Sequence, residues 1–139
     1  MKIQESAENY LETIYFLEKR LNKVRSIDIA NELNFSKPSV SVAMKNLKNH
    51  GYIEIDSDGY INLLDKGLII AEKMSERHTL LSNWLISLGV ETNIATEDAC
   101  RIEHVISEES FKNLEDIMIK SKQLDKYVLY EDLIINFNE

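Results

Sequence analysis

Apolar residues near the start of the chain return every three or four positions, at Tyr10, Leu11, Ile14, Tyr15 and Leu17. That spacing draws one stripe down a helix and predicts a helix over Ser6–Leu21 with Ser6 as its N-cap; Asn9 and Glu12 lie beside the stripe. A shorter repeat predicts a second helix over Ser26–Leu33, capped by Ser26, with Ile27, Ile29, Ala30 and Leu33 turned inward, and Asn34-Phe35-Ser36 reads as a tight turn. A third helix is expected from about Lys37 to His50, with Pro38 tolerated in its first turn, Gly51 as its stop, and Val40, Ala43, Met44 and Leu47 on its buried face. The period then shortens to two. Tyr52–Ile55 and Tyr60–Leu63 flank Asp56-Ser57-Asp58-Gly59, whose Asp-Gly step signals a hairpin. Helix, short helix, turn, polar-faced helix, hairpin is the order of a winged helix-turn-helix.

Beyond the hairpin the pattern is helical throughout. Asp65 is placed to cap a long helix from about Lys66 to Leu88, with Leu68, Ala71, Met74, Leu81, Trp84 and Leu85 on its apolar side and Gly89-Val90 closing it. Glu97–Ser107 begins another helix, and Glu108–Lys120 continues helical with Phe111, Leu114, Ile117 and Met118 in register. Ile102, Val105 and Ile106 are left for packing or self-association. The tail from Gln123 (Tyr127, Leu129, Leu133, Ile134, Ile135) reads as a terminal helix. The expected fold is therefore mainly α, an N-terminal winged helix-turn-helix domain over 1–64 followed by an all-helical domain over 65–139.

Charge changes this picture more than composition does. The net charge of −8 argues against a polyanionic partner, yet Lys19 to Lys48 holds seven basic residues against two acidic ones, while residues from 71 onward hold fourteen acidic and seven basic. One end suits a polyanion and the other suits cations. On the third helix a surface of small, polar and basic groups fits a major groove: Ser36, Lys37, Ser39, Ser41 and Val42 are placed to meet base edges, and Arg25, Lys45 and Lys48 to hold phosphates. The competing reading of that face is simple solvation. No apolar run is long enough to span a membrane, the N-terminus enters an amphipathic pattern without a signal peptide, and one cysteine permits no disulfide framework, so a reducing cytoplasm is expected.

Cys100, Glu103 and His104 carry the candidate chemistry. Positions i, i+3 and i+4 share a helix face, so a thiol, a carboxylate and an imidazole converge where a divalent transition metal would suit them. A solvated Glu and His beside a small buried Cys is the plainer alternative. Catalysis is disfavoured: there is no H-E-x-x-H pattern, and a Cys100–His104 nucleophile pair lacks an orienting third group and an oxyanion loop. A winged-helix regulator answering to an organic ligand or a partner is the other alternative.

The stretches Glu8-Asn9-Tyr10-Leu11-Glu12-Thr13-Ile14-Tyr15, Ser39-Val40-Ser41, Arg77-His78 and Glu97 to Ser107 resemble the diphtheria-toxin-repressor and manganese-transport-regulator family. The resemblance implies a homodimeric repressor, not an enzyme, that binds a palindromic double-stranded DNA operator when loaded with Mn2+ or Fe2+ and controls metal homeostasis. No membrane or organic substrate is implied, and the domain over 65–139 would serve dimerisation and metal binding. Carried over residue by residue, the ligands would be Glu12, His78, Cys100, Glu103 and His104. Asn9 stands where manganese-type members have a carboxylate and iron-type members a methionine. Cys100 resembles the iron type and Glu12 the manganese type. Thiolate and imidazole lean toward Fe2+, with Co2+ or Zn2+ as substitutes, whereas carboxylates and an amide lean toward Mn2+. Ser82 and Thr96 stand where iron-type members carry ligands of an ancillary site, so a copy of that site is not expected. With no residues after Glu139, the SH3-like third domain of the larger iron-type members is expected to be lacking.

Overall fold

The computed structural model describes residues 5–125, with side chains through Lys120; Tyr127, Leu129, Leu133, Ile134 and Ile135 of the expected terminal helix lie outside the described residues. The chain divides into two compact units, Met1–Ser75 and Glu76–Glu139.

The first unit holds α1 (Glu5–Leu21), α2 (Ser26–Leu33), α3 (Lys37–Asn49), β1 (Ile53–Ile55), β2 (Ile61–Leu63) and the start of α4 (Asp65–Ser87). Its core is the apolar stripe of α1, Leu11, Ile14 and Leu17, packed with Val24, Ile29, Val40, Met44, Ile53 and Ile61. The two strands pair antiparallel with Ile55 opposite Ile61, and Ile61 N–H donates to the Val24 carbonyl at 2.7 Å, rooting the hairpin on the segment after α1. At the hairpin tip the Asp56 carboxylate accepts from the backbone N–H of Asp58 and Tyr60, both at 2.9 Å, and Gly59 takes a φ of +85° that a side chain would strain. Gly67, in the first turn of α4, is needed for a different reason: a Cβ there would collide with the Tyr52 carbonyl oxygen.

Four expectations fail in this unit, one of them at Asp65, which is the first helical residue of α4 and not its cap. Ser6 lies within α1, so it is not an N-cap. Ser26 is likewise the first helical residue of α2; the cap is Arg25, in extended conformation, whose N–H donates to the Asp28 carboxylate at 2.8 Å. Asp28, three positions along, thus satisfies the N–H of the cap residue, the reciprocal half of a capping box. Ile27 is 38% exposed, not inward, because the buried side of so short a helix is filled by Ile29 and Ala30. On α3, Val40, Met44 and Leu47 are buried as expected, with Ala43 half-buried.

The second unit holds the rest of α4, then α5 (Thr92–Val105) and α6 (Glu108–Asp125). Leu81, Ala99 and Phe111 form its buried apolar cluster, with Leu80, Ile102, Ile106 and Leu114 packed against it. Helix α5 begins at Thr92, ahead of the Glu97 expected from periodicity, because the Glu91 carboxylate accepts from Asn93 and Ile94 N–H at 3.0 and 3.2 Å. Such a cap also sets negative charge at the positive end of the helix. Ile106 is extended, and Ser107 Oγ accepts from Ser110 N–H at 3.0 Å to open α6, so α5 and α6 are separate helices. Among the described residues no helix is long and apolar enough to cross a membrane.

Candidate metal centre and nucleic-acid interface

Cys100, Glu103 and His104 occupy the last turns of α5, and one ligand-type atom from each lies within 4.8 Å of the others. Helical spacing alone accounts for this convergence. From α4, His78 brings Nδ1 to 3.5 Å from Oε2 of Glu103, while Nε2 of His104 lies 3.5 Å from Oε1. Glu103 is wholly excluded from solvent, and neither of its carboxylate oxygens accepts a hydrogen bond. An ionised carboxylate removed from water without donors is costly. The donor set around it, one thiol, one carboxylate and two imidazoles, suits a divalent transition metal, and a cation there would supply the compensation that the surrounding N–H and O–H groups do not. The residues present therefore fit a metal ion.

Asn9 and Glu12 sit one turn apart on α1, both half-buried, within the first unit; the Asn9 carbonyl accepts from Thr13 Oγ1 at 2.8 Å. Ser82 Oγ is buried without a hydrogen-bond partner and Thr96 Oγ1 donates to the Thr92 carbonyl at 2.8 Å, so neither position offers a strong ligand for an ancillary site.

On the first unit, Arg25, Ser36, Lys37, Ser39, Ser41, Val42, Lys45 and Lys48 are all exposed. Ser36 caps α3: its hydroxyl accepts from Ser39 N–H at 3.3 Å and donates to Ser39 Oγ at 2.8 Å. Two of the residues expected to face DNA thus already fix the start of α3. Arg25 has a second role as well, since its guanidinium lies 4.4 Å from the centre of the Tyr60 ring, which Lys23 also approaches at 4.8 Å. Neither Tyr60 nor Lys23 stood out in the sequence. Their link depends on the hairpin meeting the α1–α2 connection, which no local spacing reveals. Arg77, buried beside His78, was noticed only as half of a dipeptide.

Comparison with known proteins identifies the family. Residues 2–61 match the N-terminal DNA-binding domain of iron-dependent repressors, and residues 64–123 their metal-binding and dimerisation domain. An HTH-type transcriptional regulator of Methanocaldococcus jannaschii is 32% identical over 122 residues, covering 86% of this chain and 98% of that protein. The transcriptional regulator MntR of Escherichia coli O157:H7 is 35% identical over 107 residues, covering 77% and 69%. The solved structure of the manganese regulator SloR superposes with a TM-score of 0.68 at 27% identity, covering 94% of this chain and 55% of SloR's, so here the chain spans about half of its relative. The chain belongs to the diphtheria-toxin-repressor and manganese-transport-regulator family of transcriptional regulators, which are not enzymes.

Proposed function

We propose that this protein is a metal-dependent repressor that binds a palindromic operator as a homodimer when loaded with Mn2+ or Fe2+, and so controls metal homeostasis in the cytoplasm. The observation that carries this reading is Glu103, a fully buried carboxylate whose oxygens lack hydrogen-bond donors among Cys100, His104 and His78. In this reading the ligands are His78, Cys100, Glu103 and His104, joined by Glu12 and Asn9 of α1. Residues 1–64 read DNA, and residues 65–139 bind metal and dimerise. Bound metal supplies the positive charge that lets these carboxylates approach one another. Tying α1 to the helical domain would fix the spacing of two reading heads, and a differential binding of only a few kcal/mol between conformations suffices to move the population.

At the DNA, Ser36, Lys37, Ser39, Ser41 and Val42 of the reading helix face base edges, and Arg25, Lys45 and Lys48 hold phosphates. The test is fluorescence anisotropy on promoter fragments of the source genome at fixed salt, comparing Mn2+, Fe2+, Zn2+ and chelator. Affinity should rise with metal and fall with chelator in the native chain, and His104→Ala should lose the response. A normal metal response in His104→Ala, or binding indifferent to chelator, would overturn the reading.

A further inference from the structure

Arg77 follows the pattern of neither a surface cation nor an ordinary core residue. It is only 5% exposed and stands one residue before His78 on α4. Its Nη1 donates to the Glu103 carbonyl at 3.0 Å and to the Ile106 carbonyl at 3.1 Å, and its Nη2 pairs with the Glu108 carboxylate at 3.3 Å. The guanidinium carbon lies 5.0 Å from the centre of the Phe111 ring. One side chain from α4 therefore holds the end of α5 and the beginning of α6.

The two carbonyls explain what this does. The last carbonyls of a helix have no partner within it, and a cation there is also favoured by the helix dipole. Helix α5 ends at Val105, so the Glu103 carbonyl belongs to that unsatisfied group. Cys100, Glu103 and His104 all lie in the turns most prone to fray. Consecutive residues of α4 thus address Glu103 twice: Arg77 holds its main-chain carbonyl, and His78 faces its carboxylate at 3.5 Å. The backbone bond sets where Cα of Glu103 sits, and the side-chain approach sets which way its carboxylate points.

We infer that Arg77 is a positioning residue for the metal site, a latch that preorganises Cys100, Glu103 and His104 by capping the ligand-bearing end of α5 without touching the ion. This rests on the metal-site reading above and adds a role for a residue that contributes no ligand atom. Outer-shell partners that orient ligands typically change metal affinity by about 10–100-fold when lost. Lysine, a point charge without the planar fork, cannot reproduce the paired contacts to both carbonyls and Glu108.

The experiment is Co2+ titration of the full chain, reading both the visible d–d bands and the near-ultraviolet thiolate-to-metal absorption, for native protein, Arg77→Met, Arg77→Lys and Glu103→Gln. Folding is monitored in parallel by circular dichroism. Arg77→Met should weaken Co2+ binding about 10–100-fold and reduce the thiolate band at saturation, while Arg77→Lys recovers part of the affinity without the native spectrum. Should Arg77→Met fail to fold, Arg77→Lys alone decides. Native affinity and spectrum in either folded Arg77 variant overturn the inference. Glu103→Gln separates the two levels: if it leaves Co2+ binding unchanged, the metal-site reading itself fails, whereas its loss of binding beside a silent Arg77→Met defeats only the latch.

Discussion

Among the described residues, the large side chains most fully withdrawn from water are Leu11, Ile14, Leu17, Val24, Ile29, Val40, Met44, Ile53 and Ile61 in the first unit, and Leu81 and Glu103 in the second. Nine apolar side chains stand on one side of that comparison, and a carboxylate makes up half of the other. Burying aliphatic groups stabilises without any further partner, at about 25 cal/mol per Å2. Burying Glu103 beside the guanidinium of Arg77 and two imidazoles does the opposite unless every charge is matched. The core of the first unit therefore needs no charged partner, whereas the buried carboxylate of the second does.

The largest expected effect sharpens the apolar side. Leu17→Ala should cost about 2–5 kcal/mol of stability by leaving a cavity in the first unit. Thermal melts should show that loss equally with metal and with chelator, and a loss that appeared only with chelator would break the comparison. On the carboxylate side, metal at about one hundred times its Kd should stabilise the protein by about 2.7 kcal/mol. Glu103→Gln should abolish that metal-induced shift in melting temperature, which paired melts with metal and with chelator check.

A smaller effect concerns DNA. Lys45→Ala should weaken binding to operator and non-specific DNA alike and lower the magnitude of the salt slope by about 1, measured by anisotropy across a salt series. A change confined to one operator position would instead make Lys45 a base contact.

The smallest effect is one of pH. Glu18 on α1 has its carboxyl raised above the ordinary value of 4.5, chiefly by burial, with the Leu63 N–H opposing the shift. A raised acid favours its neutral form in the folded state, so its contribution to stability is full below pH 4.5 and is lost as pH rises through the folded value. Glu18→Gln keeps a neutral group at every pH. It should be slightly more stable than the native chain at pH 7, and the difference should vanish in acid. Denaturant midpoints at the two pH values check this, and an equal gain at both would remove burial as the cause.

Much of this was legible in the chain because it is local. The core of α1 follows from the three-and-four spacing of Leu11, Ile14 and Leu17, the hairpin from Asp58-Gly59, and the Cys100, Glu103, His104 cluster from the pitch of a helix. Helix starts were read less well, since the preference for serine at a cap misled at Ser6 and Ser26, while α5 is capped by the Glu91 carboxylate. The least legible features were tertiary. The grip of Arg77 on carbonyls far along the chain, and the approach of Lys23 and Arg25 to Tyr60, depend on where elements meet. Carbonyls in particular leave no trace in a sequence, because every residue has one.

The rooting of the hairpin has a consequence of its own. Val24 bonds to Ile61, Leu63 to Glu18, and Tyr60 lies against Arg25, so the wing is tied at its base to the same helices that support α3. On the proposed reading, a head braced this way by its own contacts needs little rearrangement to meet DNA. Little ordering entropy is then spent at the moment of contact. The association should be that of two preformed surfaces, with a heat-capacity change no larger than the apolar area they cover requires.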